Sequence, residues 1–254
     1  MHTNGNTQWG DGIPRWLAIL PLVFLALLAA AYIYGIPILA RAVAARMPAS
    51  VTEALSSQTL AALDRDVFQP SATPRERQQA IETSFRALKM PAGSTASYRL
   101  EFRKSDAVGA NAMALPSGTI VVTDGLVMLA KDDREILGVL AHEAGHVDHL
   151  HGMRGMLQSS LMGLLVAWLV GDVSSVAAAA PATLLEANYS RDLEREADTF
   201  AIQVLKANGV PLRYLADMLR RLEDASGASG MSSALRYLST HPATTERIAH
   251  LEGQ

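Results

Sequence analysis

His142, Glu143 and His146 stand in the arrangement H-E-x-x-H within the run EILGVLAHEAGHVDHL. On a helix turning about 100° per residue, side chains four apart emerge one above the other on the same face. Two neutral imidazoles one turn apart can bite a single ion, and zinc suits such nitrogen donors at neutral pH. Glu143 projects beside them, where it can reach a water on the metal rather than the metal itself. Gly145 keeps the helix surface slim where a second helix or a substrate must approach. The alternative is an amphipathic helix whose histidines merely pack or face solvent.

A zinc ion that does chemistry takes three protein ligands and leaves a fourth position open. The chain has no cysteine, so the third ligand must be His, Asp or Glu. This absence also excludes disulfides, iron–sulfur clusters and thiol catalysis. The segment SRDLEREAD offers Glu194 and Asp198, four apart on one helix face. Glu194 is assigned as the third ligand. Asp198 is assigned to the free N–H of a ligating histidine, fixing its tautomer. Arg195 and Glu196 fall elsewhere on this helix and read as solvated. The expected metal is one zinc ion per chain.

These residues need a scaffold. The 254 residues are 49% hydrophobic and 19% charged, enough for one substantial domain plus an accessory segment. A net charge of −3 gives no global attraction to nucleic acid. Ser50 with Glu53 forms a capping-box pattern for a helix to about Asp66, and Thr73-Pro74-Arg75-Glu76 repeats it for a second. The second places Ile81, Phe85 and Leu88 on one face and stops near Pro91. Then the period changes: Tyr98, Leu100 and Phe102 alternate with polar residues, as in a half-buried strand. Asn111–Leu115 and Thr119–Thr123 flank the turn signal Pro116-Ser117-Gly118. A small antiparallel sheet is therefore expected before a mainly helical remainder. Asp132 and Glu135 cap the helix carrying the histidines. Asn208-Gly209 ends a later helix, and Ala225–Ser233 reads as a loop.

The N-terminal region differs in kind. After a polar tail at 1–15, residues 16–40 carry no formal charge until Arg41, long enough to cross a bilayer. The run exceeds the 7–15-residue core of a cleaved signal, so it reads as a retained anchor. Arg41 and Arg46 against Arg15 favour a cytoplasmic C-terminal portion. Residues 41–70 form a helical connector and 71–254 the metal-binding domain. The uncharged run Gly155–Gly171 and the apolar Ala177–Leu185 suggest a hydrophobic helical hairpin near the site, with further membrane spans as the rival reading.

HEAGH followed by SRDLEREAD resembles the HtpX-type membrane zinc metallopeptidases, family 48, which include the CAAX prenyl protease and BepA-like envelope proteases. NAMALPSGTIVVTDGLV, His151-Gly152 and STHPATTERI are similar to further stretches of that family. The resemblance spans roughly Arg75 to Glu252. It implies a gluzincin-type α+β domain with His142, His146 and Glu194 on zinc and Glu143 as catalytic acid/base. It also brings the His-Pro segment near the cleft, so that His241 becomes an oxyanion donor or a latch on the open zinc position, or else simply starts a helix. Arg247 and Tyr189 are the other oxyanion candidates. His149, on the ligand face, reads as solvated.

Asn111, Ala112, Met113 and Ala114 could pair with an extended substrate strand. The chain thus reads as a single-pass protease of a bacterial-type inner membrane. It would bind lipid through 16–40 and cut unfolded or membrane-associated proteins in envelope quality control. The alternative is a zinc-containing chaperone that binds misfolded proteins without cleavage, against which the intact Glu143 argues. A lipid-linked substrate specialist is a third reading, but too few apolar spans are visible for its helical chamber.

Overall fold

The computed structural model describes residues 15–170, 191–228, 241 and 245–253. Internal contacts divide the chain into Met1–Leu39 and Ala40–Gln254. In the first unit α1 (Arg15–Ala30) passes through a wider π turn, Ala31–Gly35, into α2 (Ile36–Ala44). Ile19, Leu22, Phe24 and Leu27 lie exposed along it. Among the described residues this is the one helix long and apolar enough to cross a membrane, 26 residues from Ile19 to Ala44. At about 1.5 Å per residue it reaches roughly 39 Å, more than the ~30 Å of a hydrocarbon core.

The second unit contains α3 (Ala49–Asp66) and α4 (Arg75–Arg86). Neither begins with the expected side-chain cap. Pro48 and Pro74 occupy the cap positions, leaving Ser50 inside α3. The Thr73 hydroxyl instead donates to Asp124 at 2.7 Å, together with the Ser71 hydroxyl and the Ala72 amide. The fixed φ of proline already suits a helix entrance, and the polar side chains are taken by a buried carboxylate. Ile81 and Phe85 are buried as expected, but α4 ends five residues before Pro91.

The sheet is mixed rather than antiparallel. Its order is β1 (Gln69–Pro70), β2 (Arg99–Lys104), β4 (Thr119–Thr123), β3 (Ala112–Ala114). β4 folds back on β3 as an antiparallel hairpin but inserts beside β2, and so runs parallel to it. Gly118 permits this turn: its φ is +91°, and a Cβ there would lie 2.0 Å from the carbonyl oxygen of Ser97. Short α5 (Asp124–Leu129) leads into α6 (Asp133–Asp148). The Asp132 side chain accepts from the Arg134 amide, and Glu135 accepts from the Lys131 amide. These bonds satisfy donors at the start of a helix that is buried from Glu135 to Val147.

Helix α6 stops at Asp148, short of the expected length. Leu150 adopts φ 55°, unusual for a residue with a Cβ, and α7 (His151–Val170) starts in a new direction. The remainder of the expected hydrophobic hairpin, with Tyr189, lies outside the described residues. Helix α8 (Arg191–Ala207) buries Ala197, Phe200, Ala201, Val204 and Leu205. It packs along α6, as does α9 (Arg213–Ala228), while β3 and β4 contact α6 as well. Helix α9 continues to Ala228, so the first residues of the expected Ser/Gly loop are helical. Helix α10 (Thr245–Glu252) packs on α9. The architecture is mainly helical with a small mixed sheet, and α6 is its central element.

Candidate metal centre

Three elements bring the site together. His142, Glu143 and His146 come from α6, Glu194 and Asp198 from α8, and His241 from the segment before α10. All six are buried. The two helices can approach closely because α6 carries Gly145, where a Cβ would lie 2.9 Å from Ala197 Cα. That closeness lets the short carboxylates of α8 reach the imidazoles of α6.

The Nε2 atoms of His142 and His146 are 3.0 Å apart. Glu194 approaches both, with Oε2 3.4 Å from His142 Nε2 and Oε1 3.4 Å from His146 Nε2. His241 Nδ1 lies 2.9 Å from Glu194 Oε1. Ligand atoms of all four residues fall within 4.8 Å of one another. Zinc–nitrogen bonds of about 2.0–2.1 Å in a tetrahedron require ligand–ligand edges of about 3.3–3.4 Å. The donor set therefore fits such an ion in chemistry and in spacing. His142 Nδ1 lies 2.9 Å from Asp198 Oδ1, which leaves its Nε2 for the ion.

The electrostatics favour a cation at this point. Burial opposes charge on His142, but Asp198 and Glu194 outweigh it and hold the pKa up at about 9. Burial drives His146 well below its ordinary value, with His142 and His241 adding to the effect against Glu194. Burial also opposes ionised Glu194, yet His241, His142 and His146 bring its carboxyl far below the usual range. For Asp198, His142 and Arg247 overcome burial and hold the carboxyl at about 2. The site thus presents ionised carboxylates to a place shared by imidazole nitrogens, where a proton or a metal ion must reside.

Glu143 is different. Burial raises its pKa, opposed by His241 and His142. Neither carboxylate oxygen has a hydrogen-bond partner of good geometry among the described residues. The imidazole of His241 lies nearby, its Nε2 3.6 Å from Oε1. A buried carboxyl kept free of strong partners is suited to exchanging a proton.

Arg247 is committed to the carboxylates. It donates to both Asp198 oxygens at 2.7 and 2.8 Å, and its Nη1 lies 2.7 Å from Glu194 Oε2. The strand residues Asn111, Ala112, Met113 and Ala114 line the last position of the sheet. The carbonyl of Asn111 accepts from Thr123, and the amide of Leu115 donates to Thr119. By the alternation of an antiparallel ladder, the main-chain groups of Ala112 and Ala114 face away from β4. A backbone hydrogen bond from Ala114 lowers the Glu143 pKa, so this strand, the last of the sheet among the described residues, borders the cluster.

Three residues near the site had no functional reading in the sequence. His151 Nδ1 lies 2.9 Å from His146 Nδ1, and its Nε2 lies 2.8 Å from Glu196 Oε2. Arg154 donates to the same Glu196 oxygen at 2.9 Å. Glu196 was expected in solvent, but its side chain is only partly exposed and is held by this network. A straight continuation of α6 gives no hint of these contacts; the backbone break at Leu150 creates them.

The sequence pattern of Peptidase family M48 matches residues 71–254. The chain belongs to this family. Metalloprotease YcaL of Escherichia coli (strain K12) is 31% identical over 155 residues, covering 56% of this chain and 56% of that protein. Mitochondrial metalloendopeptidase OMA1 of Arabidopsis thaliana is 32% identical over 138 residues, 54% of this chain and 28% of its own length. The beta-barrel assembly-enhancing protease of Escherichia coli (strain K12) is 29% identical over 154 residues, 55% of this chain and 31% of its own. The matched region spans about half the length of the first of these relatives and about a third or less of the other two. The family is one of peptidases and these relatives are named as metalloproteases or proteases, so a metal cofactor is implied.

Proposed function

We propose that this metallopeptidase is a membrane-anchored zinc endopeptidase with a gluzincin-type site on residues 71–254. The carrying observation is the convergence of His142, His146 and Glu194 at distances matching the edges of a zinc tetrahedron, with buried Glu143 alongside. One zinc ion per chain would be held by these three residues. When bound, zinc supplies a Lewis acid that polarises the scissile carbonyl and acidifies a water molecule.

The chain's own groups do the rest. Glu143 takes the proton from the attacking water and returns it to the leaving amine nitrogen. Burial raises its pKa above the ordinary carboxyl value, which favours that exchange. Asp198 holds the His142 ring, and Arg247 keeps Asp198 and Glu194 ionised and in place. The outward main-chain groups of Ala112 and the outward carbonyl of Ala114 pair with an extended substrate. Such pairing selects unfolded or flexible segments, because a folded protein rarely offers a bare strand. His241, within ligand distance of the other three residues, is assigned the latch: it must withdraw before a substrate carbonyl can enter.

Residues 16–40 form the anchor, with 41–70 connecting to the peptidase domain on the cytoplasmic side of a bacterial-type inner membrane. Misfolded membrane or envelope proteins are the substrates this arrangement fits. The test uses the full chain in detergent micelles, loaded with zinc and given a peptide library. Wild type is expected to cut, His241→Ala to cut faster, and Glu143→Gln to hold zinc without cutting. Zinc binding with no cleavage by either wild type or His241→Ala would favour a non-proteolytic chaperone instead.

A further inference from the structure

We propose that His151 and Glu196 are positioning residues that hold His146 for the metal through a two-step hydrogen-bond relay. The inference rests on the metal-centre reading above and concerns what lies behind one of its ligands. His142 is braced directly by a carboxylate, Asp198, at 2.9 Å. The Nδ1 side of His146 is built differently. It meets a second imidazole there, His151 Nδ1 at 2.9 Å, and the carboxylate comes one ring later, where Glu196 Oε2 lies 2.8 Å from His151 Nε2.

The proton arrangement follows from donor and acceptor rules. Ionised Glu196 can only accept, so His151 carries its proton on Nε2 and leaves its Nδ1 lone pair exposed. That lone pair accepts from His146 Nδ1–H. The remaining nitrogen of His146, Nε2, therefore bears a lone pair directed at His142 Nε2 and Glu194, where the ion must sit. Each link fixes the tautomer of the next. The acidic end is itself secured: Arg154 donates to Glu196 Oε2 at 2.9 Å, and Arg41 donates to Oε1 at 2.9 Å. Arg154 and His151 are buried, so the inner contacts of the relay lie in the interior, while Arg41 reaches Glu196 from the surface.

The backbone is shaped for this contact. Five residues along a straight helix would turn His151 about 140° away from His146. Leu150 instead takes φ 55°, a left-handed conformation that a side-chain-bearing residue rarely adopts. The break redirects the chain so that His151 lies against His146 with its ring edge-on, centroids 4.9 Å apart. His149, stacked on His151 at 5.5 Å, supports the ring from its other side.

The experiment measures zinc affinity of the full chain in micelles by competition with a chromophoric chelator. The visible spectrum of the Co²⁺-loaded protein is recorded as a second readout of ligand geometry. Outer partners of this kind typically alter metal affinity 10–100-fold. His151→Phe is expected to weaken zinc by about that factor and to alter the cobalt bands. His151→Gln, whose amide oxygen can accept from His146, is expected to recover most of the loss. Glu196→Ala is expected to weaken zinc about 10-fold, at the low end of that range, and Glu196→Gln to remain near wild type.

Unchanged affinity in both His151→Phe and Glu196→Ala overturns the relay. If His151→Phe does not fold, the Glu196 pair decides: loss with alanine and recovery with glutamine supports it, while equal affinities overturn it. Glu194→Gln serves as the control for the site itself. If that variant binds zinc like wild type, the metal-centre reading has failed; if it loses zinc while the relay variants do not, only the relay has.

Discussion

Replacing Arg247 with methionine tests whether the two carboxylates of α8 depend on a single buried cation. The guanidinium is 7% exposed and makes three contacts of 2.7–2.8 Å, two with Asp198 and one with Glu194. With charge centres about 4 Å apart and an effective dielectric near 20, each carboxylate contributes roughly 4 kcal/mol of gross attraction. Desolvating the three charges offsets much of that sum and can exceed it. Removing only the cation leaves its partners buried, for which a cost of about 3–5 kcal/mol is typical. In a domain of this size about 1 kcal/mol moves Tm by roughly 2–4 °C, so metal-free Arg247→Met should melt about 6–20 °C below wild type at pH 7. Saturating zinc should narrow the gap, because the ion supplies two positive charges to the same site. Lysine at 247, with one point charge and no fork, should recover less than half of the loss. Melting followed by far-ultraviolet circular dichroism, with and without zinc, reads all of these. A metal-free Arg247→Met within about 1 kcal/mol of wild type would refute the clamp.

Other expectations follow from the same geometry. Glu143→Gln should cut peptides about 10²–10⁴-fold more slowly while binding zinc and melting at or above the wild-type temperature, since a buried carboxyl whose pKa burial raises has been neutralised. Gly145→Ala should push α8 from α6, because its Cβ would meet Ala197 Cα at 2.9 Å, Ala197 O at 3.0 Å and Phe200 Cβ at 3.1 Å. Zinc affinity should then fall; Gly155→Ala, with nothing within 4 Å, should leave affinity unchanged. For Asp124, burial raises the pKa, but bonds from Ser71, Thr73 and Ala72 outweigh it and lower the carboxyl. A lowered folded pKa means stabilisation that is present above the unfolded value near pH 4 and lost as pH falls below it. Asp124→Asn should therefore melt below wild type at pH 7, and the difference should shrink on acidification toward pH 3.

The parts of the site that could be read from sequence are those generated by a regular helix. His142 and His146 share a face because four residues make about one turn, and Glu194 and Asp198 share another for the same reason. Strands β2, β3 and β4 were equally legible from alternation and from the Pro116-Ser117-Gly118 turn. Their order was not: the hairpin can lie on either side of β2, and alternation is the same in parallel and antiparallel neighbours. Thr73 looked like a helix cap because no local signal shows that a carboxylate 51 residues away takes its hydroxyl. Glu196 looked solvated because its position on α8 differs from that of Glu194, and the groups that reach it come from Arg41, His151 and Arg154.

These differences separate two kinds of information in the active region. The residues that would touch the ion lie at helical spacing, so one period suffices to find them. The residues that hold those ligands come from helix ends, a backbone break and distant segments. Asp198 sits one turn from Glu194 and was found with it, whereas Arg247 and His151 require the packed tertiary structure. Binding chemistry requires the support as much as the ligands. Two imidazole nitrogens 3.0 Å apart repel if both present lone pairs with neither a proton nor a metal ion between them, and rings free to turn would relieve that repulsion by separating. Asp198 prevents this for His142, and the His151–Glu196 pair does so for His146. The close approach at Gly145 holds Glu194 against both. The fold thus keeps three electron-rich donors within 3.0–3.4 Å along the contacts that link them, and a bound metal ion would offset the stability given up in doing so.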